Sequence, residues 1–209
     1  MSRAKVKAGG MLREAIDVTW RTPKLLRTRV GVYFDGVAFL DPASAPDNPM
    51  GAARFFCGPT PSGVPTRGPL FGEPTEEEAN RLDGLAEAWD APWWLNPPFS
   101  GLAKTWGPKV IAEVLARPDQ TGLLLLPVNR TEEEWLQALF ALTRRLCLIR
   151  WPEGRGRVPF ESSADGVECD ANPFASWLLG FGEEPVAGRW RAAFGDLGTS
   201  YELRPLEAA

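Results

Sequence analysis

The tetrapeptide Asn96-Pro97-Pro98-Phe99, entered from the apolar run Trp93-Trp94-Leu95, has the residue types needed to activate an exocyclic amine. On adenine or cytosine that nitrogen is a poor nucleophile, because its lone pair is delocalised into the ring. Two acceptors change this. If the Asn96 side-chain oxygen and the Pro97 carbonyl each accept one N–H, the nitrogen is drawn toward tetrahedral geometry and its lone pair is released. The paired prolines stiffen the chain, and Pro97 offers its carbonyl without a competing N–H. Phe99 can stack on a base extruded from a duplex or presented in a single strand. Asn96 is neutral and cannot be a general base. The implied chemistry is direct in-line attack of the amine on a bound methyl donor, with the proton lost afterwards to water. The same four residues also fit a plain polyproline turn with Phe99 as a core aromatic.

A short apolar strand ends at Asn96, and Ser100-Gly101 opens a helical stretch from Leu102 to Ala116. Ligands of open α/β sheets bind at the carboxyl ends of strands, so the tetrapeptide lies where a reaction centre is expected. A second strand, Val37 to Leu40, runs into Asp41-Pro42-Ala43-Ser44. An acid followed by small residues at a strand end suits a ribose or amino-acid moiety, although Asp-Pro is also a common turn starter. Trp20-Arg21-Thr22-Pro23 precedes a helix beginning near Lys24. The Gly- and Pro-rich stretch 58–74 reads as a long loop. Thr75 with Glu76 to Glu78 predicts a helix continuing to about Trp89 and carrying Asp83, a residue equally at home as a solvated helical acid.

Thr121 to Pro127 predicts a strand buried on both faces, followed by a helix with a Thr131/Glu134 capping box and a stripe of Trp135, Leu136, Leu139, Phe140 and Leu142. Leu146 to Trp151 and Phe174 to Phe181 read as strands, Gly154 to Phe160 as a basic hairpin or loop, and Trp190 to Phe194 as a short helix. The alternation predicts one α/β domain over residues 20–209, preceded by a basic flexible segment, residues 1–19. Its sheet should be open and mostly parallel, closed by an antiparallel hairpin.

Composition narrows the chemistry. The 209 residues contain no histidine, which removes imidazole general acid/base relays, Ser/His/Asp and Cys/His triads and imidazole metal sites. No metal is expected. Cys57, Cys147 and Cys169 lack CxxC spacing and read as reduced thiols of a soluble cytoplasmic protein, with no signal or membrane segment. GxGxxG and GxxxxGK[ST] loops are absent, which disfavours nicotinamide dehydrogenases and nucleoside triphosphatases. The net charge of −4 argues mildly against a large nonspecific nucleic-acid surface. Basic residues nonetheless gather before residue 30 and again at Arg144, Arg145, Arg150, Arg155 and Arg157, either as phosphate contacts or as solvated faces.

Taken in order, these segments resemble the phage-type DNA N6-adenine methyltransferases, small S-adenosylmethionine-dependent enzymes. The resemblance runs from Trp20 to about Gly182. It rests on Trp20-x-Thr22-Pro23, Leu40-Asp41-Pro42-Ala43-Ser44, Asp83-Gly84-Leu85 with Trp89, Trp94-Leu95-Asn96-Pro97-Pro98-Phe99-Ser100, Leu124-Leu125-Leu126-Pro127, Arg155-Gly156-Arg157-Val158-Pro159-Phe160 and Asn172-Pro173-Phe174. Phe99 stands where the family more often has Tyr, and the 58–74 loop is longer than usual. The resemblance implies a Rossmann-like class I methyltransferase fold with helices on both faces of the sheet. It also implies a donor site bordered by Thr22 and Pro23, S-adenosylmethionine held by Asp41, Ala43 and Ser44, and the target base held by Asn96 to Phe99. Asp83 would contact cofactor or substrate, and Arg155 and Arg157 would contact DNA, the expected partner, in the cytoplasm of a bacterium carrying a phage or prophage. Methylation of an RNA base or a protein glutamine fits the same tetrapeptide; a non-catalytic nucleic-acid-binding or decoy role is the further alternative, which the acidic charge balance favours and the intact Asn96 motif opposes.

Overall fold

The computed structural model describes residues 21–45, 47–56, 83–99, 102–128, 132–152, 155–161 and 174–203. Among them lie the strands β1 (Leu40–Asp41), β2 (Arg54–Phe55), β3 (Trp93–Leu95), β4 (Gly122–Pro127), β5 (Arg145–Ile149), β6 (Ser176–Phe181) and β7 (Gly198–Glu202). The helices are α1 (Lys24–Phe34), α2 (Gly107–Ala116), entered through a π-helical turn at Leu102–Trp106, α3 (Glu134–Leu142) and α4 (Arg189–Phe194).

Four consecutive leucines, Leu123 to Leu126, cannot sit in a strand with one wet face, and every residue of β4 is buried. Leu123 and Leu125 enter one apolar cluster with Leu26, Val30, Tyr33 and Phe34 of α1 and Trp190, Ala193 and Phe194 of α4. Leu124 and Leu126 point the other way, into a cluster with Val110 and Val114 of α2 and Leu136 and Leu139 of α3. The period-two alternation of one strand thus creates two cores and puts helices on both faces, as expected. Each of these leucines contributes roughly 1.5–3 kcal/mol by leaving water.

The sheet has seven strands in the order β2-β1-β3-β4-β6-β5-β7. Pairings among β2, β1, β3 and β4 are parallel, whereas β6 runs antiparallel to both β4 and β5, and β7 antiparallel to β5. The sheet is therefore mixed, with more antiparallel pairing than a single closing hairpin. From the adjacent β1/β3 pair the chain order runs outward in opposite directions, to β2 on one side and to β4 on the other. This reversal is a topological switch point, and the crevice it opens at the carboxyl ends of β1 and β3 is where such sheets take ligands.

Several expected elements differ. The strand expected over Val37 to Leu40 is confined to Leu40–Asp41, because Asp35 (φ 41°) and Gly36 (φ 79°) take left-handed conformations and the Val37 N–H turns back to Phe34 O. Asp83 to Glu87 form a turn, not the end of a helix. The Leu85 N–H bonds the Asp83 side chain at 2.9 Å, and the Trp89 indole reaches back to Gly84 O at 2.8 Å. Residues 75–82, the 58–74 loop and the 1–19 segment lie outside the described residues. Helix α3 starts at Glu134 with Glu133 as its cap and no side-chain capping bond, so Glu134 is in the first turn and not the third position of a capping box. Thr131 lies outside the described residues, as do Cys57, Cys169, Asn172 and Pro173. Strand β7 was not foreseen. No helix among the described residues is long and apolar enough to cross a membrane.

Candidate active site

Strand β3 is buried through Leu95, and the chain leaves the sheet at Asn96. With Leu40 in register with Trp93, Asp41 sits level with Trp94, and Asn96 lies two residues further along the neighbouring strand. At about 4.8 Å between strands and about 3.3 Å per residue, the two Cα atoms are roughly 8 Å apart, across the switch point. A ligand as small as a nucleoside can touch both.

The Asn96 amide is oriented by a residue distant in sequence. Its Nδ2 donates to Thr22 Oγ1 at 3.2 Å. Because the two branches of a planar amide diverge, the Oδ1 acceptor takes the other fork. Thr22 and Pro23 are both buried, so the Thr-Pro segment expected at the donor site is packed beside the tetrapeptide. Pro97 is buried, Pro98 exposed, and Phe99 half-buried, bridging the two apolar clusters. Phe160, fully buried, meets Phe99 edge-to-face with 5.7 Å between ring centroids.

What holds Thr22 there is Glu161, which sequence reasoning missed. Arg21 and Glu161 form a two-bond antiparallel bridge, at 3.0 and 3.1 Å. Proline at the cap of α1 offers no side-chain acceptor, and Glu161 Oε1 accepts the Lys24 N–H at 2.8 Å instead. Glu161 Oε2 pairs with Arg27 Nη1 at 2.7 Å, and the same Nη1 donates to Thr22 O at 2.6 Å. A carboxylate at a helix N-terminus is favoured by the backbone dipoles there, in addition to the capping bond. Nothing local signals this role, since Glu161 and Arg27 are 134 residues apart.

On the β1 side, Asp41 is 3% exposed and its Oδ1 accepts the Ala43 N–H at 3.1 Å. Burial pushes the Asp41 carboxyl up to about 7, with the Ala43 N–H and then the Ser44 hydroxyl pulling it back. That hydroxyl has one proton, and its Oγ donates to Ala45 O at 3.0 Å in this arrangement, so its hold on Asp41 is partial. The turn is anchored by Phe56 N–H to Asp41 O and Ser44 N–H to Phe56 O, both 2.9 Å. Asp83 is drawn to the same turn by its neighbour: any Cβ on Gly84 would drive into the Pro42 carbonyl. The Asp83 Oδ1 is engaged by its own Leu85 N–H, so its evident work is shaping this contact. Trp89, fully buried, then clamps the segment through Glu113 Oε2, which accepts its N–H at 3.0 Å.

Arg155 and Arg157 are exposed and flank Gly156 of the Trp151–Gly156 bridge, on the chain that runs on through Val158 and Pro159 to Phe160 and Glu161. They lie on the segment that carries Phe160 and Glu161. Thr22, Asp41, Asp83 and Asn96, from four separate stretches of chain, thus converge on one end of the sheet. No protein-family model matches the chain, and no curated protein matches it either.

Proposed function

We propose that the chain is an S-adenosylmethionine-dependent methyltransferase acting on the N6 amine of adenine in DNA. The observation that carries the reading is the Asn96 amide, held by Thr22 with its oxygen directed away, roughly 8 Å across the switch point from the Asp41 turn. Asn96 Oδ1 and Pro97 O are the acceptors for the two amine protons, and Phe99, braced by Phe160, is the stacking face for the ring. Asp41, Ala43 and Ser44 suit the donor's hydroxyl and amino groups, since a buried carboxyl held by so few donors favours ligands that bring N–H or O–H groups. When bound, S-adenosylmethionine supplies an electrophilic methyl group. The protein's contribution is to hold the amine's lone pair in line, exclude water, and leave the released proton to solvent. The exposure of Arg155 and Arg157, on the segment that leads to Phe160 and Glu161, supports a role for them as phosphate contacts.

Incubation with labelled S-adenosylmethionine and unmethylated DNA, RNA or protein, followed by mass spectrometry of the digests, tests the reading. N6-methyladenine in DNA is the expected product. Label confined to RNA or protein would move the substrate class, and DNA binding without transfer would leave a non-catalytic binding module.

A further inference from the structure

We infer that Glu161 is a positioning residue for the amine grip, acting on Asn96 through Arg27 and Thr22. The inference rests on the reading of Asn96 as the residue that holds the target amine. Each link is a short contact: Glu161 Oε2 to Arg27 Nη1 at 2.7 Å, Arg27 Nη1 to Thr22 O at 2.6 Å, and Asn96 Nδ2 to Thr22 Oγ1 at 3.2 Å. Thr22 lies in a two-residue extended link between the Arg21 bridge and the first turn of α1. Glu161 fixes both of its ends, pairing with the Arg21 backbone on one side and accepting the Lys24 N–H on the other. Arg27 ties down its middle.

The consequence is geometric. An asparagine amide can rotate, and if its NH2 turned toward the target it would present donors to an amine that itself donates. In the observed arrangement Thr22 Oγ1 accepts from Nδ2, which anchors the amide with its oxygen on the other branch, and Glu161 holds Thr22 in place for that contact. Phe160, next in chain to Glu161, supports Phe99, so the same segment braces both the amine grip and the stacking face.

Glu161→Gln tests this, because it keeps the shape and one acceptor but removes the charge that holds Arg27. Two readouts are needed. In the uniformly 15N-labelled full-length chain, the Asn96 side-chain NH2 signals, assigned by their loss in Asn96→Asp, should move in Thr22→Val and move in the same direction in Glu161→Gln. Thr22→Ser, which keeps the hydroxyl, should leave them near the wild-type position. In methylation assays, Glu161→Gln should lower kcat roughly ten- to hundred-fold with the KM for donor nearly unchanged, as expected when a reacting group is misaligned. Unmoved Asn96 signals in a folded Glu161→Gln protein would overturn the inference. So would a kcat loss that merely tracks a fall in melting temperature. If the wild-type protein transfers no methyl group, the functional reading fails, while the amide signals still decide whether Glu161 orients Asn96.

Discussion

Asp41→Asn should stabilise the protein above neutral pH while weakening its hold on the methyl donor. The native carboxyl is almost fully buried and titrates at about 7, against an ordinary value of 3.8. Between those values the unfolded chain has released a proton that the native state still binds. Stability from this group is therefore greatest in acid, falls as pH rises from about 4 to about 7, and is level above that. The full loss is roughly 4 kcal/mol at about 1.4 kcal/mol per unit. An amide has no charge to desolvate, and its oxygen can still accept the Ala43 N–H. The variant should escape the loss, so its margin over wild type should widen by roughly 3 kcal/mol between pH 5 and pH 8. For a chain of this size that is a relative gain of roughly 6–12 °C in melting temperature. Thermal melts of both proteins across that range measure it. Isothermal titration with S-adenosylmethionine should show the opposite trend, with weaker binding by the variant and wild-type affinity rising as pH passes 7. Parallel melting profiles, or a variant that gains nothing over wild type between pH 5 and pH 8, would refute the buried-carboxyl account.

Gly84→Ala should cost about 1–3 kcal/mol, because the new methyl meets the Pro42 carbonyl and the Asp41 turn must shift; denaturant unfolding measures this, and donor affinity should fall with it. Phe160→Leu removes the edge-to-face support of Phe99, worth about 0.5–1.5 kcal/mol beyond area burial, and should raise the KM for DNA more than the KM for donor; equal effects on both would detach Phe160 from the base site. Arg155→Glu with Arg157→Glu should weaken DNA binding and reduce the slope of log K against log salt by about 2, read by fluorescence anisotropy across a salt series. An unchanged slope would remove this loop from the DNA surface.

The parts of the fold that could be read from the chain are those whose burial pattern is local. Leu123 to Leu126 announce a strand buried on both faces, and Leu136 and Leu139 a helix stripe, because each residue's environment follows from its neighbours in sequence. The direction of β6 could not be read, since an apolar run such as Ser176–Phe181 looks the same parallel or antiparallel. Strand β7 is an edge strand with little apolar alternation in Gly-Thr-Ser-Tyr-Glu, and its pairing with β5 defines it. The Asp83 turn shows the same limit: its acids and spacing suit a helix, but Pro42 and Trp89 decide otherwise from outside the segment. At the site, Asp41 and Asn96 carried chemical signatures of their own, and Thr22 was reached only through the family resemblance. Glu161 carried none, because its importance lies entirely in contacts with residues more than a hundred positions away.

The central claim is that the Asn96 oxygen grips the amine that is methylated. Its most direct test is the single-turnover rate of N6-methyladenine formation on DNA by wild type, Asn96→Ala and Asn96→Asp, each saturated with S-adenosylmethionine. Loss of a positioned hydrogen-bonding group should slow Asn96→Ala about 10²–10³-fold with donor affinity preserved. Asn96→Asp keeps an acceptor, to which the Thr22 hydroxyl can donate, and should retain measurable transfer. An alanine variant that methylates adenine at the wild-type rate would contradict the account.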